Sequence, residues 1–324
     1  MRRIFPLLLI LLLLCGCGGN RDAAAPEDAD RLVIFTARSA AVYDDAVREF
    51  ERRTGIWVEV HTADGVLPLL EQIAAGQRCD LLLGVTPDCL SACGELFAPY
   101  APEAAADIPG AYRDSEDRWT PFSLLPVVLI YNDQLVQRNV PDSWSSLTSS
   151  AWRGRIACPD PTVSATGCTA LEAMTQALDG EAEQVLADFV RCVGDVLPTA
   201  EDVVTAVADG RCYVGVTTED LAMQAAASGL SVTVIYPREG SVMQPDCAAI
   251  IADCAHEDNA RAFIDFLLSG EVQDRLTRQY RRTVFTPPGD ASLPHALAYD
   301  PYAAGAHQAE TLDIWSSLTA EETP

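Results

Sequence analysis

The chain has 324 residues, 49% of them apolar, which is enough for two lobes that each bury a core. Its 22 basic residues, all arginine, face 47 acidic ones, a formal charge of −25. That balance argues against nucleic acid and against an anionic membrane surface as partners, yet a local nest of backbone amides can still hold a small anion against the overall field.

At the amino end, Arg2 and Arg3 precede an apolar run, Ile4–Leu14, too short to cross a bilayer as a stable helix. The next four residues, Leu14-Cys15-Gly16-Cys17, resemble the lipobox of bacterial lipoproteins, where cleavage precedes a cysteine that becomes lipid-modified. The resemblance makes residues 1–16 a signal peptide and Cys17 the lipidation site; the alternative, a plain secretory signal, exports the protein as well. Gly18–Asp30 is rich in Gly, Ala, Asp and Pro without periodicity, so 17–30 reads as a flexible tether.

Cysteine is abundant, with 11 in the chain. After Cys15 and Cys17 an odd nine remain, which leaves at least one thiol free if the others pair. Cys89 and Cys93 form the closest mature pair, and His61, His256, His295 and His307 do not stand at ligand spacing to any cysteine. The expectation is some structural disulfides together with buried thiols, in preference to a metal cluster.

In chain order, Leu32–Thr36 is a buried-type strand, and Ser39 caps a helix that runs to Arg53 with Gly55 beyond it. Trp57–Thr62 is a strand, Ala63-Asp64-Gly65 a turn, Val66–Ala75 a helix and Asp80–Val85 a third strand. This alternation predicts a parallel sheet with crossover helices, and ligands lie off the carboxyl ends of such strands. Residues 87–118 are looser, and the apolar run Leu124–Tyr131 is a central strand able to carry the chain into a second lobe. Arg155–Cys158 is a strand, followed by a hydroxyl-rich loop and a helical pattern over Leu171–Leu178. Helices at Glu181–Cys192 and Ala200–Ala208, strands at Cys212–Val216 and Val232–Tyr236, and a returning strand at Ala248–Ala252 come next. Glu257–Leu268, Gly270–Tyr280 and a last segment near Gln308–Leu318 are helical. The expected lobes are 31–125 with 248–324, and 126–247.

Chemistry concentrates at strand-to-helix junctions. In Asp160–Ala170 the unpaired amides of a helix start, the positive end of its dipole and the hydroxyls of Ser164 and Thr166 make an anion site, and Gly167 permits close backbone approach to a ligand. Helix capping explains the same hydroxyls without a ligand. Thr217-Thr218-Glu219-Asp220 repeats the pattern, and Thr217 with Asp220 fits a capping box. Arg38, beside Ser39, offers a bidentate fork for a carboxylate, phosphate or phosphonate; its alternative is a solvated surface arginine. Glu239 ends another strand and is either an acceptor for a ligand amine or hydroxyl, or an exposed turn residue. Arg275, Arg278, Arg281 and Arg282 read as a solvated helix face, with a permease contact as the alternative.

Several segments, in order, resemble a known family: Val33-Ile-Phe-Thr-Ala-Arg-Ser39 with Thr54-Gly-Ile; Trp119-Thr-Pro-Phe-Ser with Tyr131-Asn132; Trp144 and Leu147 with Trp152-Arg-Gly-Arg-Ile-Ala; Asp160-Pro-Thr-Val-Ser-Ala-Thr-Gly167; Tyr236-Pro-Arg-Glu-Gly240; and Phe263 to Gln273. The chain is similar to family 1 extracellular solute-binding proteins of bacterial ABC importers, in the ferric-ion-binding branch. The resemblance implies an α/β, two-lobe periplasmic-binding-protein-like fold (type II), with mixed sheets flanked by helices and a hinge between the lobes. It also implies ligand contacts at Arg38 or Ser39, Ser164, Thr166 and Glu239; Thr217 and Thr218 join them from the junction pattern. Iron-binding relatives carry adjacent tyrosines where this chain has Thr217-Thr218. Neutral hydroxyls suit hard ferric iron poorly, although Glu219, Asp220 and Glu239 offer carboxylates.

The resulting expectation is a monomeric, lipid-anchored receptor that passes a small oxyanion-bearing solute to an ABC permease and its ATPase. It would stand in the periplasm or on the outer face of the cytoplasmic membrane, without cofactor, resident metal or catalysis. No H-E-x-x-H, G-x-S-x-G or phosphate-loop motif occurs. Alternatives are a ferric-iron receptor, a sensory lipoprotein that signals without transport, and an exported redox or metal-binding protein that uses its thiols.

Overall fold

The computed structural model describes residues 28–322 apart from 64, 288 and 290–294; Cys17 and Asp64 therefore lie outside the described residues. Strands and helices alternate at the start: β1 (Arg31–Thr36), α1 (Ala40–Thr54), β2 (Trp57–Thr62), α2 (Val66–Ala74), β3 (Leu81–Val85) and α3 (Pro87–Ser91). β4 (Phe97–Ala98) and the long β5 (Thr120–Tyr131) follow. Next come α4 (Trp144–Leu147), β6 (Ile156–Pro159), α5 (Ala165–Ala177), α6 (Ala182–Val190), β7 (Val193–Leu197), α7 (Ala200–Ala208), β8 (Val214–Thr218), α8 (Glu219–Ala227) and β9 (Thr233–Ile235). β10 (Met243–Ile251) returns, and α9 (Glu257–Leu267), α10 (Gly270–Arg278) and α11 (Pro301–Glu322) close the chain.

The strand order is β2-β1-β3-β10-β5-β8-β6-β7, with β4 on β10 and β9 on β5. β1 pairs in parallel with β2 and β3, and β6 with β7 and β8, as the βαβ alternation requires. The two central strands run antiparallel, and β5 belongs to both halves: residues 120–126 pair with β10, and 127–131 pair with β8. This is the two-lobe α/β fold expected from the sequence, with β5 and β10 as the crossing strands.

Each half buries side chains on both faces of its sheet. Successive residues of a strand point to opposite faces. Leu32 and Ile34 of β1 accordingly pack with Phe50, Phe263 and Ile264, while Val33 and Phe35 pack with Leu69, Leu82 and Leu90. In the second half Val127 and Leu129 meet Ile156, Phe189 and Val214; Val128 and Ile130 meet Val203 and Val207. α11, grouped by sequence with the first lobe, packs on α3 and also on α5 and α6, and its Trp315 is buried in the second core.

The crossing strands carry three prolines. Pro126 stands opposite Met243, Pro245 opposite Leu124 and Pro121 opposite Cys247, and the register shifts between Asp246 and Cys247. Leu124 exchanges its backbone hydrogen bonds with Arg282, 2.8 Å one way and 3.1 Å the other. The segment after α10 thus borders β5 at the crossing.

The expected disulfides are not formed: all nine described cysteines are free thiols. Tertiary structure distributes most of the buried ones among separate cores, Cys79 and Cys247 in one, Cys158 and Cys192 in another, Cys212 in a third. Burial raises their pKa values, to about 12 for Cys79 and about 11 for Cys168, Cys212 and Cys254. The nucleophilic thiolate is therefore scarce at neutral pH.

Candidate functional site

Arg38 takes its place because position 84 has no side chain. Gly84 is the extra residue of a bulge in β3, since Val85 and Leu83 stand opposite the adjacent Cys247 and Ala248. Its φ is +76°, and a Cβ there would lie inside van der Waals contact with Arg38 Cγ. From this seat Arg38 donates through Nη2 to Asp246 Oδ1 at 2.8 Å, and its buried Nε finds no acceptor among the described residues. Burial alone would lower the Arg38 pKa, but the charge of Asp246, aided by Asp220, raises it above the usual arginine value. Asp246 lies on a crossing strand and Asp220 in the first turn of α8, so Arg38 of the first half stands within electrostatic reach of the second.

Three junctions expected to present hydroxyls differ in detail. Ser39 is exposed at the start of α1 and makes no side-chain cap. Ser164, half-buried, is the N-cap of α5 and makes none either. α5 begins at Ala165, ahead of the pattern read at 171, so Thr166 and Gly167 belong to its first turn. Thr166 is 5% exposed. Gly167 does permit a close approach, although the approaching backbone is the chain's own: a Cβ would fall 2.7 Å from the Pro159 carbonyl oxygen. At β8 the adjacent threonines diverge. Thr217 is fully buried and donates to the Ala200 carbonyl at 3.0 Å. Thr218, and not Thr217, is the N-cap of α8; its hydroxyl donates to Asp220 and forms no cap.

Glu239 has a different role from an open acceptor. Its carboxylate accepts the N–H of Trp144 at 3.0 Å and of Ser145 at 3.2 Å, the first two amides of α4, while Ser143 accepts the third from Ser146. Burial would raise the Glu239 pKa, but the backbone N–H groups of Glu239, Ser145 and Trp144 outweigh it and hold the carboxyl below its ordinary value of 4.5. α4 thus has its amides answered by an anion from within the chain, and α5 and α8 do not. Glu239→Ala should cost about 0.5–2 kcal/mol of stability, the usual range for a lost cap. Because the folded pKa is depressed, that contribution is present above the unfolded carboxyl pKa and fades as pH falls through the folded one. Urea titrations at pH 7 and pH 3 check both; an unchanged difference at pH 3 refutes the assignment.

The helix-face reading of the four arginines misses two site residues. α10 ends at Arg278, Tyr280 turns the chain with φ +63°, and Arg281 and Arg282 enter the crossing region. Arg281 is 3% exposed and donates to Asp246 and to Ser123. Arg282 forks Glu219, Nε to Oε2 at 2.7 Å and Nη2 to Oε1 at 2.6 Å, with the Tyr236 hydroxyl as a further donor. The loop after β2 also meets the loop after β6: a Cβ at Gly65 would lie 3.4 Å from the Val163 carbonyl oxygen.

Arg38, Ser39, Ser164, Thr166 and Thr218 therefore stand at helix starts in the two lobes on either side of the crossing strands, while Thr217 and Glu239 are engaged within the protein. Helix starts without a side-chain cap and a tethered guanidinium on the two sides of the crossing strands favour a small anion. The chain belongs to the bacterial extracellular solute-binding proteins, whose family model matches residues 94–302. It is 25% identical over 291 residues to the probable ABC transporter periplasmic-binding protein y4fP of Sinorhizobium fredii, covering 86% of this chain and 79% of that protein. Among solved structures it resembles the periplasmic binding protein AfuA of Actinobacillus pleuropneumoniae, solved with exogenous fructose-6-phosphate bound. That likeness has a TM-score of 0.81 and 19% identity, and covers 90% of this chain and 98% of that one. It also resembles the apo ferric ion-binding protein A of Pasteurella haemolytica, with TM-score 0.78, 15% identity and coverage of 91% and 99%. Among the described residues no helix is long and apolar enough to cross a membrane.

Proposed function

We propose that this protein is the substrate receptor of an ABC importer, held to the membrane by lipid on Cys17, and that it captures a small solute bearing a phosphate, phosphonate or similar oxyanion. Its partners are then a permease and its ATPase, and it acts as a monomer that binds by lobe closure and performs no chemistry. One observation carries the reading: α5 and α8 start with hydroxyl residues at their N-caps and no side-chain cap, α8 within electrostatic reach of Arg38 and α5 against Gln244 of the crossing strand, whereas α4 has its amides filled by Glu239. Such helix starts favour an anion. Fructose-6-phosphate bound to AfuA supports the solute class, and the name of y4fP supports the importer.

The likeness to a ferric ion-binding protein keeps iron as a second reading. Against it, Glu219 is spent on Arg282 and Tyr236, and among the described residues no three His, Cys, Asp or Glu converge on a metal position. Thermal-shift screening of the protein without its first 30 residues tests both, because stabilisation follows ligand excess over the dissociation constant. Phosphonates and sugar phosphates are expected to raise Tm; stabilisation by ferric salts alone would overturn the oxyanion reading. The double variant Ser164→Ala, Thr166→Ala should weaken the stabilising anion by about 1–3 kcal/mol, the cost of unmade hydrogen bonds. Unchanged affinity would return both hydroxyls to a purely structural role.

A further inference from the structure

Asp246 is fully buried and lies between two guanidinium groups. Arg38 reaches one carboxylate oxygen and Arg281 the other. Arg281 is committed to this place: its side chain is 2% exposed, its Nε donates to Ser123 at 3.1 Å, and its guanidinium lies 5.9 Å from the Phe122 ring centre. Ser123 is the residue opposite Asp246 in the ladder of the two crossing strands, so Arg281 closes a fixed triangle at the hinge. Arg38 differs, with a side chain 24% exposed and a buried Nε that finds no acceptor among the described residues. Arg38 and Arg281 share Asp246, and of the two only Arg38 has a partly accessible side chain.

We infer that Arg281 is a positioning residue for solute binding, sharing Asp246 so that less of the Arg38 charge is spent on that carboxylate and more is left for the solute's anionic group. The inference rests on the oxyanion reading and names what makes Arg38 effective in a protein of charge −25. Without Arg281, Arg38 would face Asp246 alone, and an incoming anion would compete with a carboxylate oxygen already 2.8 Å away. Asp220, which also acts on Arg38, would then leave two carboxylates against one guanidinium. Of the other carboxylates in this region, Glu219 is held by Arg282, and Asp88 and Asp114 accept from the hydroxyls of Tyr299 and Tyr302. Paired charges cancel locally, and an unpaired one in a partly desolvated site attracts much more strongly than in water.

The test is isothermal titration of the wild-type protein with fructose 6-phosphate, 2-aminoethylphosphonate and inorganic phosphate, followed by three variants with the tightest of them. Arg281→Gln should weaken binding by about tenfold or more, and Arg281→Lys, which keeps the charge, by no more than about threefold. Asp246→Asn combined with Arg281→Gln removes both members of the buried pair and should return to within about threefold of wild type. That double variant also answers the question if Arg281→Gln alone does not fold, because it strands no fully buried carboxylate at the crossing. A wild-type protein that binds none of the three probes overturns the oxyanion reading and this inference with it. Wild-type binding that survives Arg281→Gln, or that the double variant fails to restore, overturns the inference alone.

Discussion

Arg282→Met is expected to lower the unfolding free energy by about 3–5 kcal/mol, the range for removing one partner of a buried ion pair. Glu219 has a side chain only 3% exposed, and the Arg282 fork supplies two hydrogen bonds to it beside that of the Tyr236 hydroxyl. With the fork gone, the Tyr236 hydroxyl still faces a carboxylate that has left water. Folding also joins distant parts here, since Glu219 heads α8 in the second half and Arg282 borders β5 at Leu124. Adding Glu219→Gln to Arg282→Met should recover much of the loss, because the penalty comes from the stranded charge and less from the missing attraction. Urea unfolding of the two variants measures this. A loss under about 1 kcal/mol for the single variant, typical of an exposed pair, would show that Glu219 reaches water.

Gly84→Ala is the second large effect, and it separates backbone strain from function. The positive φ alone should cost about 1–3 kcal/mol for a residue with a side chain. Gly55 has the same φ of +76°, but a Cβ there meets nothing within 4 Å. Gly55→Ala therefore carries the strain without the collision. Only Gly84→Ala drives Arg38 from Asp246, so it should weaken an anionic solute by about tenfold or more while Gly55→Ala leaves affinity unchanged. Equal affinities in the two variants would refute the seat assigned to Arg38.

Much of the architecture is legible because periodicity and burial coincide. The strand Trp57–Thr62 and the helix Ala200–Ala208 have the same bounds in sequence and structure, and the alternation over the first three strands fixes their parallel pairing. β7 is missed because Val-Gly-Asp-Val-Leu is short and only partly buried, so it carries neither a continuous apolar run nor a clean alternation. The site is harder to read. Thr217 and Thr218 are neighbours in a strand and must face opposite ways, a signal present in the sequence that already denies both of them to one ligand. The amides that Glu239 caps lie 94 and 95 residues away, beyond any local pattern. Arg281 and Arg282 continue a helical charge pattern past the point where Tyr280 ends it. Cysteine counting likewise cannot tell paired thiols from thiols parked in different cores, because only tertiary structure separates them.

The prolines of the crossing strands have a mechanical consequence. Leu124 spends both backbone groups on Arg282, so the Leu124–Pro245 and Pro126–Met243 pairs are non-hydrogen-bonded positions of the central ladder, while Pro121 removes a donor beside the register shift at Asp246 and Cys247. A ribbon thinned of cross-links in this way bends at low cost where it is thinned and stays stiff on either side. Compliance is thereby expected in the few residues around the buried carboxylate, with the flanking strands as the stiffer arms.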